Sequence, residues 1–241
     1  MKTAVVTGVS TGIGFGIAKV LIDNGFKVFG SVRKETDGAR VKQQLGGAFE
    51  PLVFDVTDPK GISEAAEKVR ASLNGETLTG LVNNAGVAVA GPLLHLPLAD
   101  FRQQIEVNLI GQVAVIQAFA PLLAGDLALK GKPGRIVNIS SVGGRNGSPF
   151  LAPYAASKFA IEGLSESLRR ELTVLGIDVI VIAPGAVKSE IWGKAEQVDV
   201  TPYAKTVFAS ALNNIRSYMI KIGKNGLPPE RIGKGVLVAL T

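Results

Sequence analysis

Six short β-branched runs, each separated from the next by a longer segment of helical periodicity, constrain this chain more than any other feature. They are "TAVVTG" (3 to 8), "KVFGSV" (27 to 32), "PLVFDV" (51 to 56), "GLVNNA" (80 to 85), "RIVNIS" (135 to 140) and "DVIVIAP" (178 to 184). Between them, apolar residues recur at three- and four-residue spacing, as in Ile62, Ala65, Ala66, Val69 and Leu73. Near-continuous apolar strands alternating with helices predict a parallel sheet covered on both faces. The expected fold is α/β: a single-domain, Rossmann-like, doubly wound sheet in three layers, with ligands beyond the carboxyl ends of the strands.

With 241 residues and 46% hydrophobic composition, the chain can bury one large core. No internal repeat, low-complexity segment or Pro/Gly-rich linker marks a second domain, so residues 1–241 are read as one unit. The chain has no cysteine, which removes disulfides and thiolate metal sites. His95 is the only histidine, and no metal centre is expected. "MKTAVVTG" is too short an apolar run for a signal peptide, and stretches such as "VIVIAPGAV" fall short of a membrane span. A soluble, cytoplasmic protein is therefore expected. The net charge of +6 comes largely from residues 188 to 241, with 8 Lys+Arg against 4 Asp+Glu. No basic run interleaves with aromatics, so a nucleic-acid partner is not expected.

The first run ends in "TGVSTGIG" and passes directly into the helical pattern "IAKVLIDNG". Glycines at a strand-to-helix turn let the backbone approach a pyrophosphate, whose charge is met by amides at the helix N-terminus. The spacing Gly8, Gly12, Gly14 is G-x-x-x-G-x-G rather than the more familiar G-x-G-x-x-G. A second feature is "YAASK" at 154 to 158. On a helix, Tyr154 and Lys158 share one face, so an ammonium is expected near a phenol. A free tyrosine titrates near about 10, and a nearby cation favours its phenolate.

"TGVSTGIG", "NNAG" at 83 to 86, "NISS" at 138 to 141, "YAASK" and "PG" at 184 to 185 occur in the order seen in the classical short-chain dehydrogenases/reductases, which this chain resembles from residue 3 to about 190. The resemblance implies a catalytic set. Ser141, thirteen positions before Tyr154, orients and polarises a carbonyl; Tyr154 transfers the proton; Lys158 tunes Tyr154 and holds the nicotinamide ribose. Asn108, in "EVNLIG", matches the asparagine thought to kink a helix and anchor a water for proton relay. Ser140 is the rival serine; strand alternation would point it away from Ser141. The resemblance also carries over cofactor contacts: Gly8, Ser10, Thr11, Gly12, Ile13 and Gly14 in the turn; Asp55 and Val56 at the adenine; Asn83, Ala85 and Gly86 beside its ribose; Pro184, Gly185, Val187 and Ser189 by the nicotinamide, together with Tyr154 and Lys158. Ser189 departs from the family's usual threonine but keeps the hydroxyl.

At the end of the second strand, where NAD users of the family carry an acid, stands Val32, followed by Arg33. A carboxylate there binds the ribose 2′-hydroxyl, whereas an arginine accommodates a 2′-phosphate. NADP(H) is expected rather than NAD(H), with Arg33 on the phosphate and Ser31 as a helper, although Glu35 or Asp37 could still reach the ribose. Val89, Leu93, Leu94, Val142, Phe150, Leu151, Ile191 and Trp192 are expected to wall a pocket for a hydrophobic ketone, aldehyde or alcohol, under a lid at about 186–225. The resemblance further implies a homodimer or homotetramer, and a seventh strand beyond Thr241. The competing reading is a dinucleotide-binding protein with a regulatory or structural role and little turnover.

Overall fold

In the computed structural model, which describes residues 1–241 apart from the side chains of Ile191 and Lys194, alternation along the strands divides the core in two. The strands β1 (Thr3–Val6), β2 (Lys27–Val32), β3 (Phe49–Val53), β4 (Gly80–Asn83), β5 (Arg135–Ile139) and β6 (Asp178–Ile182) form one parallel sheet, in the order β3-β2-β1-β4-β5-β6. Ala4 and Val6 of β1 face one layer with Val82, Val137, and the helices α1 (Gly12–Asp23), α2 (Glu35–Leu45) and α9 (Pro229–Leu240). Val5, one residue on, faces the other with Leu81, Ile136, and the helices α3 (Pro59–Ser72), α5 (Gly111–Ala120) and α6 (Ala152–Glu171). The two-residue period of a strand produces both layers from one run of apolar residues. The seventh strand is not among residues 1–241, and β3 and β6 are the sheet edges.

Several strands end earlier than their apolar runs. Thr7 and Gly8, Asn84 and Ala85, and Ser140 leave the ladder, and these residues build the site. The chain order reverses between β1 and β4, opening a crevice at their carboxyl ends.

Local chemistry sets the helices. Asp58 caps α3 by accepting from the Lys60 N–H (3.1 Å), with Pro59 in the first turn. Ile62, Ala65, Ala66 and Val69 form its buried stripe. Helix α4 (Leu98–Ile105) runs through a π-helical turn at Glu106–Ile110 into α5. Within the 28-residue segment Leu98–Gly125 an 18-residue stretch reaches a mean hydropathy of 1.7, long and apolar enough to cross a membrane by length and composition. Asn108, Gln112 and Gln117 interrupt the segment, so no uninterrupted apolar run in it reaches the length of a span. Here Val115, Ile116, Phe119, Leu122 and Leu123 pack on the sheet.

The last excursion leaves the sheet after β6, forms α7 (Ile191–Gln197) and α8 (Ala209–Lys224), and returns to α9. Its ends are clasped: the Lys188 N–H donates to the Leu227 carbonyl and the Leu227 N–H to the Ala186 carbonyl, both at 2.9 Å.

Candidate active site

The glycine turn after β1 is shaped by contacts that leave no room for side chains. Gly8 has φ +70, and a Cβ there would lie 2.9 Å from the Ala85 Cα; a Cβ on Gly14 would overlap the Gly8 carbonyl oxygen. Conserving this close approach takes polar side chains from other strands. The Thr7 hydroxyl accepts from the Asn84 and Ala85 N–H groups at 2.9 Å each, and the Asn84 amide donates to the carbonyls of Thr7 (2.8 Å) and Gly8 (3.1 Å). The Ser31 hydroxyl accepts from the Gly8 N–H at 2.9 Å. Helix α1 begins at Thr11 without a side-chain cap, so its first-turn N–H groups keep their donors. Bare backbone, a Cβ-free approach and open helix-end donors suit the pyrophosphate of a dinucleotide.

Ser10, Thr11, Gly12 and Ile13 lie in this turn or open α1, and Ser189 comes across to Gly12, its Cβ 3.0 Å from where a Gly12 Cβ would stand. Gly86 borders Asn108, with its missing Cβ 3.2 Å from that side chain's oxygen. Four residues expected near the cofactor, Asn83, Val56, Val187 and Ser31, have buried side chains. Asn83, 3% exposed, donates to the Asn138 side chain at 2.9 Å, which in turn donates to Ser165; this buried chain ties β4, β5 and α6 together, and Asn84 is the neighbour that reaches the turn. Val56 and Val187 are buried in the two core clusters. Ser31 accepts from the Gly8 N–H and is 3% exposed, so it braces the turn. The Asp55 carboxylate accepts from the Thr57 N–H (3.0 Å) and hydroxyl (2.8 Å), which fixes its rotamer. Pro184 is buried and accepts from the Val142 N–H (3.0 Å), while Gly185 is exposed.

On the other side of the crevice, Ser140 and Ser141 point oppositely. The Ser140 hydroxyl is buried, with no partner among the described residues, whereas Ser141 is half-buried and accepts from the Gly143 N–H at 3.0 Å. Gly143 in turn lies against the Tyr154 ring: a Cβ there would stand 3.1 Å from ring carbon Cε1. Tyr154 sits in the first turn of α6. Its burial raises the phenol above the usual tyrosine value, and the Ser141 hydroxyl acts in the opposite sense.

Lys158, one turn on, is 7% exposed and donates to the Ile139 carbonyl at 2.8 Å. Burial lowers its ammonium to about 8. The nitrogen stands 5.9 Å from the Tyr154 ring centroid. At this separation burial of the ring is the largest influence on the phenol.

Asn108 occupies the π-helical turn, and its amide is fully used. Its oxygen accepts from the Val87 N–H (2.8 Å); its nitrogen donates to the Val87 carbonyl (3.0 Å) and the Ser157 hydroxyl (3.1 Å). The distortion is thus a π-turn rather than a simple kink. Gln104, on the same helical face and fully buried, repeats the pattern by accepting from the Val89 N–H (2.7 Å) and donating to the Val87 carbonyl (2.8 Å). Gln104, Ser157, Thr7 and Asn84 were not anticipated from the sequence. The four-residue interval between Gln104 and Asn108 is the one signal that could have found any of them.

The expected pocket wall divides. Leu93, Leu94 and Val142 are 55%, 82% and 56% exposed, while Val89 and Leu151 are half-buried. Phe150, with φ +63, packs edge-on to Phe208 of the excursion (6.2 Å between centroids), and Phe208 does the same to His95 (5.8 Å). Trp192 packs on Gly223 and donates its indole N–H to the Val187 carbonyl at 2.8 Å, bracing α7 on α8. The Ile191 side chain lies outside the described residues.

An open parallel sheet with a glycine turn at its switch point, beside a serine, tyrosine and lysine, defines a nicotinamide-dinucleotide oxidoreductase of the Rossmann type. The family model for short chain dehydrogenase matches residues 2–199, and the chain belongs to that family. It is 40% identical to the NADPH-dependent 3-dehydrocapnine reductase of Ornithobacterium rhinotracheale, over 96% of this chain and 81% of that protein. It is 31% identical to the mitochondrial D-beta-hydroxybutyrate dehydrogenase of Rattus norvegicus, over 90% and 68%. A short chain dehydrogenase/reductase from Burkholderia phymatum in complex with NAD superposes with a TM-score of 0.85 at 23% identity, over 99% of this chain and 85% of that one.

Proposed function

We propose that the protein interconverts a hydrophobic ketone or aldehyde and the corresponding alcohol, with NADP(H) preferred, using Ser141, Tyr154 and Lys158. The observation that carries this reading is the side-by-side arrangement of Ser141, Gly143 and the Tyr154 ring, at the carboxyl end of β5. The dinucleotide, when bound, supplies or accepts the hydride. Ser141 holds the substrate oxygen. Tyr154, whose phenol burial keeps protonated at neutral pH, donates the proton to that oxygen. Lys158 fixes the end of β5 through Ile139 and brings a positive charge beneath the site. Asn108 and Ser157 hold the Tyr154 backbone, since Ser157 donates to the Tyr154 carbonyl at 2.7 Å.

Preference for NADP(H) is supported by an apolar, 3% exposed Val32 where an acid would bind the ribose, and by an exposed Arg33 with no carboxylate within 4.0 Å among the described residues. One relative adds support, the NADPH-dependent 3-dehydrocapnine reductase, whereas two structural neighbours are complexes with NAD and with NADH. The exposed Leu93, Leu94 and Val142 favour an apolar substrate. The excursion of residues 186–225 acts as its lid. Assembly into a homodimer or homotetramer belongs to the same proposal.

The test is NADPH consumption by the purified protein with a panel of ketones and aldehydes, for the parent and Tyr154→Phe. Turnover should fall about 10²- to 10⁴-fold in the variant. Parent-like turnover by Tyr154→Phe would remove the tyrosine from the reaction.

A further inference from the structure

We infer that Arg40 is a second cation for the 2′-phosphate of the dinucleotide, positioned by Asp37, and so determines cofactor specificity together with Arg33. The inference rests on the NADP(H) reading above and adds a residue to it. Arg40 lies in α2, yet its Nη2 donates to the carbonyl of Ser10 (2.9 Å), thirty residues away in the glycine turn. The same nitrogen donates to the Asp37 carboxylate at 2.8 Å. Both contacts use Nη2, so Nε and Nη1 keep their N–H donors, with no protein acceptor among the described residues. The side chain is 42% exposed. A guanidinium in that state presents an unused edge to solvent above the ligand side of the turn, the geometry that receives phosphate oxygens in pairs.

Arg33 directly follows β2. Two residues before it, Ser31 accepts from the Val9 N–H with its carbonyl (3.0 Å) and from the Gly8 N–H with its hydroxyl (2.9 Å), which locks the end of β2 to the turn. One arginine thus follows a strand end tied to the loop, and the other hydrogen-bonds to the loop itself. Asp37 contributes orientation, since an exposed ion pair adds little stability. Its carboxylate, otherwise able to accept a ribose hydroxyl, is engaged by Arg40.

The experiment compares adenosine 2′,5′-bisphosphate with adenosine 5′-monophosphate, which differ only at the 2′ position, by calorimetric titration of the full chain. Arg40→Gln keeps a shorter polar side chain but removes the charge; Arg40→Ala removes both. Each is expected to weaken the bisphosphate roughly tenfold while changing the monophosphate less than about twofold, and Arg40→Lys to restore part of the loss. Equal weakening of both ligands would make Arg40 a brace of the turn and overturn the inference, as would no change in either. If the parent binds the two ligands equally, the NADP(H) reading fails with it. If the parent prefers the bisphosphate and only Arg33→Ala abolishes that preference, the inference alone fails.

Discussion

Asn108 and Ser157 meet in a 3.1 Å hydrogen bond, through which the π-helical turn between α4 and α5 is joined to the backbone of Tyr154. The same asparagine holds both backbone groups of Val87, so one buried amide locks the loop after β4, the distorted helix and α6 together. Replacing it leaves the Val87 N–H without a partner and takes one of two hydrogen bonds from the Val87 carbonyl and from the Ser157 hydroxyl, in a site that is 1% exposed. Asn108→Leu should lower stability by about 2–4 kcal/mol, and Ser157→Ala, which removes both hydrogen bonds of one hydroxyl, by about 1–2 kcal/mol. Thermal unfolding checks both; an Asn108→Leu melting temperature equal to the parent's would refute the clamp.

Lys158 gives a pH signature. Its folded value of about 8 lies below the usual 10.5, so between these the unfolded chain binds more protons and parent stability rises with pH. Below pH 8 the folded protein carries the whole cost of burying the ammonium, at most about 3 kcal/mol. Lys158→Met escapes that cost while losing, equally at all pH values, the donor to Ile139. The stability of Lys158→Met relative to the parent should therefore be greatest below pH 8 and decline toward pH 10.5. A difference that stays flat across melts from pH 7 to 10 would show that the lysine is not penalised.

Val32 is the position at which an acid would change cofactor choice. It is 3% exposed and close to Gly38, where a Cβ would come within 3.4 Å of it. Val32→Asp should lower the NADPH to NADH ratio of kcat/KM at least about tenfold, by giving the ribose hydroxyl an acceptor and the 2′-phosphate a repulsive neighbour. An unchanged ratio counts against the assignment of this strand end to the ribose.

Phe208 links the excursion to two loops through its edge contacts with Phe150 and His95. Such aromatic pairs are worth about 0.5–1.5 kcal/mol each. Phe208→Ala should raise substrate KM about 3- to 10-fold with kcat and dinucleotide affinity little changed. Loss of kcat with constant KM would place the effect in the chemistry rather than in lid closure.

Much of the sheet was legible because apolar runs of strand length declare themselves: β2 spans Lys27–Val32, the same residues as its run. Run lengths overshot elsewhere since Thr7 and Asn84 are compatible with a strand by propensity, and only their cross-strand hydrogen bonds take them out of the ladder. The tyrosine and lysine could be found from their interval, but not the sense of the phenol's shift. That depends on how deeply the ring is buried, which only the packing around it decides.

By itself the sequence determined the doubly wound fold and the glycine turn, which follow from periodicities and intervals along the chain, while its resemblance to a known family pointed to the serine, tyrosine and lysine. The tertiary structure alone decided that Ser31, Asn83 and Gln104 serve as internal braces, that Asn108 spends its amide on neighbours, and that Arg40 reaches Ser10. Those outcomes depend on which polar groups folding brings within about 3 Å of one another. Hydrogen bonds between distant residues leave no periodic trace in the chain that forms them.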